Sequence, residues 1–136
     1  MKLTITIFIL FFFGQVEAQH ITICKAYTQA GEPIDIIYSK NIPLNKTICF
    51  LLNTGNKKIS GSTVFLFIDR TADGSKQNQF NKVYKIEKDK NWLACNFKFA
   101  KDGKFEIYFT DANQNRIAAT TIIVGNYKET LKEESV

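Results

Sequence analysis

The stretch from Asn96 to Val124, NFKFAKDGKFEIYFTDANQNRIAATTIIV, constrains the fold more than any other part of the chain. Phe105, Ile107 and Phe109 alternate with Glu106, Tyr108 and Thr110. Side chains two apart in an extended strand share a face, so the pattern describes a strand with one buried and one wetted side. Polar segments bracket it: Lys101-Asp102-Gly103-Lys104, whose Asp-Gly pair suits a short hairpin turn, and Asp111-Ala112-Asn113-Gln114-Asn115. The expectation is three consecutive antiparallel strands joined by two tight turns.

The rest of the chain repeats the theme. His20–Tyr27 alternates and predicts a first strand, and Ile34–Tyr38 a short apolar one. Thr47–Leu52 and Thr63–Ile68 are almost continuously apolar, which predicts central strands. Asn53–Lys58 reads as a turn and Asp69–Gln79 as the longest polar loop. Phe80–Ile86 places Phe80, Lys82, Tyr84 and Ile86 on one face with Val83 opposed; its lysines suit an edge strand that must not pair with other chains. In Trp92–Phe99, Leu93, Cys95, Phe97 and Phe99 share a face. Both prolines, Pro33 and Pro43, fall between strand candidates, where a missing N–H costs no ladder bond.

Lys2, the apolar run Leu3–Phe13 and the small residues Val16 and Ala18 follow the order of a secretory signal peptide. The run is shorter than the ~20 residues a membrane-spanning helix needs. The expected organisation is therefore a signal peptide over 1–18, one β-sandwich domain over 19–125 and a polar tail over 126–136. Export would place Cys24, Cys49 and Cys95 where disulfides persist. Three cysteines leave at least one unpaired within the chain; they read as buried small apolar residues, or as one disulfide and a spare thiol, with the pairing open.

At Asp102-Gly103-Lys104-Phe105-Glu106-Ile107 the chain resembles the Asp-x-Gly-x-Tyr-x-Cys approach to the sixth strand of immunoglobulin domains. It is more similar to the bacterial Ig-like version, in which a Gly-Lys-Tyr/Phe-x-Ile hairpin precedes an Asp/Asn turn and a final Ile/Val strand. The resemblance covers roughly the last third of the domain. With turn signals every 8–12 residues, it implies an all-β fold, an immunoglobulin-like antiparallel β-sandwich of about seven to eight strands. A small closed barrel is the rival architecture. Phe105 replaces the corner tyrosine, Ile107 stands at the second cysteine, and Trp92 lies outside the third strand, so the resemblance implies no activity and no site residue.

The sequence offers little chemistry. His20 is the only histidine, which argues against a nucleophile–base triad and against an N-terminal copper site. No Cys-x-x-Cys is present. Asp69-Arg70-Thr71-Ala72-Asp73-Gly74 loosely resembles a calcium loop, but its twelfth position is Phe80 and not the bidentate Glu. Asn45-Lys46-Thr47 matches a glycosylation sequon, relevant only in a eukaryotic secretory pathway. With a net charge of +5, a possible ligand-binding face combines Tyr84 and Trp92 with Lys82, Lys85 and Lys98, if their strands are neighbours. The plainer reading of those lysines is a solvated strand face. The expectation is an exported, non-catalytic module without cofactor or metal, binding a protein or glycan outside the cytoplasm, with neither nucleic acid nor a membrane span after cleavage. A partner would meet the turns Asn53–Lys58, Asp69–Gln79 and Asp111–Asn115. Two other readings are a carbohydrate- or polyanion-binding module and an enzyme acting through Asp69, Asp73 or Asp111.

Overall fold

Alternation becomes burial along the strand read most securely: Phe105, Ile107 and Phe109 are buried, while Glu106 and Tyr108 stand half-buried on the other face. The structure, a computed structural model, describes residues 20–55, 59, 61–72, 74–87 and 90–127. The expected signal peptide, Asn56–Lys58 of the expected turn, and the tail beyond residue 127 lie outside the described residues.

The described residues form nine strands and no helix. They are β1 (His20–Tyr27), β2 (Pro33–Ile36), β3 (Asn41–Ile42), β4 (Thr47–Asn53), β5 (Thr63–Ala72), β6 (Ser75–Lys85), β7 (Trp92–Lys98), β8 (Gly103–Asp111) and β9 (Arg116–Val124). One sheet has the order β2-β1-β4-β7 and the other β3-β9-β8-β5-β6. All pairings are antiparallel except that of the two-residue β3 with β9.

The core lies between the sheets. Ile48, Phe50 and Leu52 of β4 face Val64, Leu66 and Ile68 of β5 and Phe105, Ile107 and Phe109 of β8 in one cluster. Burying each such side chain contributes about 1.5–3 kcal/mol. A run of rings fills one side of that cluster: Phe80–Phe97, Phe97–Phe99 and Phe99–Phe105 each have centroids 4.8 Å apart. β4 and β5 are central strands and β6 is an edge, as their apolar runs and lysines predict.

Three expectations change. First, the polar segment 69–79 is not a loop: β5 and β6 continue to the pair Ala72↔Ser75. An extended hairpin needs only its backbone ladder where both faces are wet, so it carries no apolar alternation. Gly74 at φ 81 sits in its turn, the work an Asp-Gly pair does in short hairpins. Second, Lys101–Lys104 does not join a hairpin. It carries the chain from β7 in one sheet to β8 in the other. Arg70 of β5 fixes this crossing by donating from Nε (3.0 Å) and Nη2 (2.8 Å) to the Asp102 carbonyl. Gly103 makes room for it, since a Cβ there would lie 2.7 Å from the Arg70 Nε. Third, β3 adds a ninth strand inside what reads as a polar connection; Ile42 is its buried anchor.

Candidate functional site

The five candidate face residues fall on three surfaces, because β6 and β7 are edges of opposite sheets and not neighbours. Lys82 and Tyr84 are brought together, with the Lys82 Nζ 5.2 Å from the ring centroid. Tyr84 leans on the core and its hydroxyl donates to the Cys95 sulfur. Burial pushes the Cys95 thiol up to about 12, against the opposing pull of the Tyr84 hydrogen bond and the Lys82 charge. Lys85 pairs with Thr63 and points away from the core, one residue out of phase with Tyr84. Trp92 lies on the outer face of the four-stranded sheet, with Tyr27 edge-on at 5.9 Å and the Lys90 Nζ 4.1 Å from its ring. Lys98 shares that face but sits six residues along β7, ~20 Å away at the rise of a strand.

A different surface does converge: the outer face of the five-stranded sheet. Phe65 and Phe67 take the outward positions of β5 and stack at 6.3 Å and 27°. Phe67 pairs across the ladder with Tyr108, and their rings stack at 5.1 Å and 19°. Arg116 from β9 lays its guanidinium 4.1 Å above Tyr108. Val83, 53% exposed, pairs with Phe65 on the other side. The result is a row of half-buried rings capped by a cation, a geometry worth about 0.5–1.5 kcal/mol per ring pair beyond area burial.

Polar groups rim this row. Glu106 receives Lys76 at 2.9 Å and Arg116 at 3.0 Å, one on each carboxylate oxygen. Lys76 is the main cause holding the Glu106 carboxyl below its ordinary range; burial opposes and Arg116 adds to the lowering. Asp69 accepts from the Asn78 amide at 2.9 Å and from the Tyr108 hydroxyl. Burial, then the Asp69 charge, push the Tyr108 phenol up. The Asn81 side-chain amide donates to the Asn78 Oδ1 at 3.0 Å. The signal for this face was present in Phe65-Leu66-Phe67, but a continuous apolar run reads as buried on both sides. In fact Leu66 is inside and both phenylalanines are half outside.

The carboxylates considered for catalysis have other partners. Asp111 closes the β8–β9 turn, its Oδ1 accepting the Asn113 and Asn115 amides at 2.9 Å each. The Asn115 amide is the first cause of its lowered pKa. Asp69 pairs with Glu106 in the ladder while Asp111 pairs with Val64, five residues along β5. Asp73 lies outside the described residues. Among the described residues, no group of three or more His, Cys, Asp or Glu is placed to hold a metal ion.

No protein-family model and no curated protein matches the chain. Among solved structures it is similar to the soluble domain of PmoD from Methylocystis sp. (Rockwell), at 16% identity and a TM-score of 0.51, covering 79% of this chain and 90% of that one. It is also similar to an immunoglobulin-like protein from Pseudomonas aeruginosa, at 14% identity and a TM-score of 0.50, covering 79% of this chain and 97% of that one. At such identities the likeness establishes the fold: an immunoglobulin-like β-sandwich. Among the described residues no helix is long and apolar enough to cross a membrane.

Proposed function

We propose that the chain is an exported, non-catalytic immunoglobulin-like module that holds a partner in the cell envelope or outside the cell. The observation that carries this reading is the half-exposed row Phe65–Phe67–Tyr108 under Arg116, on a rigid sheet face away from the core. Rings fixed on a sheet present contact area at little further entropic cost, as binding surfaces require. The order of residues 1–18 supports export, and the use of Asp69 and Asp111 in structural hydrogen bonds supports the absence of catalysis. The test is saturable retention of the purified protein on envelope fragments of its own cells. Phe67→Ala/Tyr108→Ala, checked for an unchanged fold, should weaken retention at least about tenfold, the loss of ~1.4 kcal/mol. Equal retention by the double variant, or turnover of any substrate dependent on Asp69, Glu106 or Asp111, refutes the proposal.

A second reading, carbohydrate or polyanion binding, is favoured by the rim itself. A sugar ring can rest its apolar side on the outer edges of the stacked Phe65, Phe67 and Tyr108 rings while Asn78, Asn81, Glu106 and Arg116 meet its hydroxyls. Retention on immobilised neutral and acidic glycans separates the cases. Loss in Tyr108→Ala assigns the second sheet, and loss in Trp92→Ala assigns the first. A lysine-driven polyanion site would lose retention as salt rises. No retention on either glycan at low salt ends this reading.

A further inference from the structure

We infer that Cys24 and Cys49 form this chain's disulfide, joining β1 to β4, and that Cys95 stays a thiol. The two are direct partners in the antiparallel β1–β4 ladder. Opposed residues in such a ladder have Cα atoms about 4.5 or 5.5 Å apart, and either spacing lies within the roughly 4.4–6.8 Å that a disulfide spans. Both side chains leave the same, outer face of the sheet and pack together with Leu51 against Trp92 and Ala94. Both are free, buried thiols in the structure, and the Cys24 thiol donates to the Cys49 carbonyl at 3.9 Å. Cys95 is excluded by direction. It pairs with Phe50, one residue out of phase with Cys49, and faces the core, where Tyr84 bonds it. Cys24 and Cys95 are also two strands apart, ~9.5 Å, beyond the reach of a disulfide.

The link forms by exchange with a disulfide-bearing oxidant of the exported compartment, so it rests on the export reading. One cysteine thiolate attacks the oxidant's disulfide and expels one of its thiols. The second cysteine then attacks the mixed disulfide and expels the other. The two cysteines give up two protons and two electrons, and the oxidant leaves as two thiols. In the folded chain both residues are 0% exposed, so exchange must precede closure of the 28–32 turn, whose Gly31 rests on Trp92. Burial also holds both folded thiols protonated, that of Cys49 up to about 12. Once formed, the link is sheltered from reductants by the same packing.

The test uses the full chain by two routes: exported from cells, and reduced, unfolded and refolded with oxidised and reduced glutathione. Free thiols are trapped with N-ethylmaleimide in denaturant before peptide mapping. In the refolded arm the Cys24 and Cys49 peptides should be recovered joined, lighter than their sum by two hydrogens, with one maleimide on Cys95. Cys95→Ser should keep the link, and Cys24→Ser and Cys49→Ser should each abolish it without creating another. The link should survive dithiothreitol in native buffer and be lost once guanidinium is added. A bridge to Cys95, three trapped thiols after glutathione refolding, or ready reduction of the native protein overturns the inference. If the refolded arm links but the exported arm carries three maleimides, the export reading fails and the pairing stands.

Discussion

Gly31→Ala tests how the outer face of the four-stranded sheet is closed. Gly31 holds φ 83, and a Cβ there would lie 2.3 Å from the Trp92 Cδ2 and 2.4 Å from its Cε2. That is far inside the ~3.5–4 Å at which carbons attract. Placing an L-residue in the left-handed region costs about 1–2 kcal/mol, partly offset by the ~0.4–1 kcal/mol that Gly→Ala gains by restricting the unfolded chain. Displacing a packed indole adds about 1–3 kcal/mol. The net loss is about 2–4 kcal/mol, or a Tm lower by about 8–16 °C for a domain of this size. Gly74 is the internal control: it holds φ 81, but a Cβ there would meet no described residue within 4 Å apart from its chain neighbours. Gly74→Ala should therefore cost about 1 kcal/mol or less. Urea unfolding followed by Trp92 fluorescence reads both variants, because Trp92 is the only tryptophan and sits at the perturbed contact. In a Trp92→Leu background, where the fluorophore is gone and unfolding is followed by circular dichroism, the cost of Gly31→Ala should shrink towards that of Gly74→Ala, a coupling of about 1–3 kcal/mol. Equal costs for the two glycines would falsify the claim that this turn is closed by packing on the indole.

Glu106→Gln should lose up to about 1 kcal/mol at neutral pH, since its ion pairs are partly exposed. The folded pKa is lowered, so this contribution is present above the ordinary value of 4.5 and fades as pH falls through the folded value; the variant should show a flatter acid limb in Tm against pH. Arg70→Lys keeps the charge but loses the two-pronged grip on the Asp102 carbonyl, and urea unfolding should register a loss of about 1–1.5 kcal/mol. Thr110→Val should be neutral or stabilising by up to about 1–2 kcal/mol, because the buried Thr110 Oγ1 has no hydrogen-bond partner among the described residues. A Tm drop of several degrees in that variant would reveal a partner and sink the reasoning.

Much of the architecture was legible because it depends on local periodicity. The alternation at 105–109 placed the inward ring of β8, and the continuous runs at 47–52 and 63–68 placed central strands. What escaped depends on choices between distant segments. Lys101–Lys104 has hairpin chemistry, yet whether it turns back within a sheet or crosses to the other depends on Arg70, about thirty residues earlier. The hairpin over 69–79 was hidden because polar strands carry no periodic signal. The aromatic face was hidden for the opposite reason. Phe65 and Phe67 are as apolar as a core pair, and only the sheet order reveals that, among the described residues, nothing of the other sheet lies over them. The proposed grouping of Tyr84 with Trp92 depended on β6 adjoining β7, a pairing that the sequence does not encode.

The two outer faces are treated differently by the same chain, and that difference bears on where a partner would dock. On the four-stranded sheet the chain covers its own apolar residues: Cys24 and Cys49 are fully buried and Leu51 is 2% exposed, with Trp92 and Gly31 closing above them. What stays exposed there lies at the β1–β2 margin, where Tyr27 is 40%, Ile34 42% and Ile36 36% exposed, with no row of stacked rings among them. On the five-stranded sheet larger rings are left half in water, although each could bury about 150–250 Å² of surface if it were covered. Charge does not spread over that row; it is gathered at its margins by Glu106, Lys76 and Arg116. The neighbouring edge strand β6 bears Lys76, Lys82 and Lys85, which oppose addition of a further strand. A repelling edge beside an uncovered aromatic face favours a partner that lies flat on the sheet over one that extends it. That is why the proposed binding surface is assigned to Phe65, Phe67 and Tyr108 and not to the strand ends.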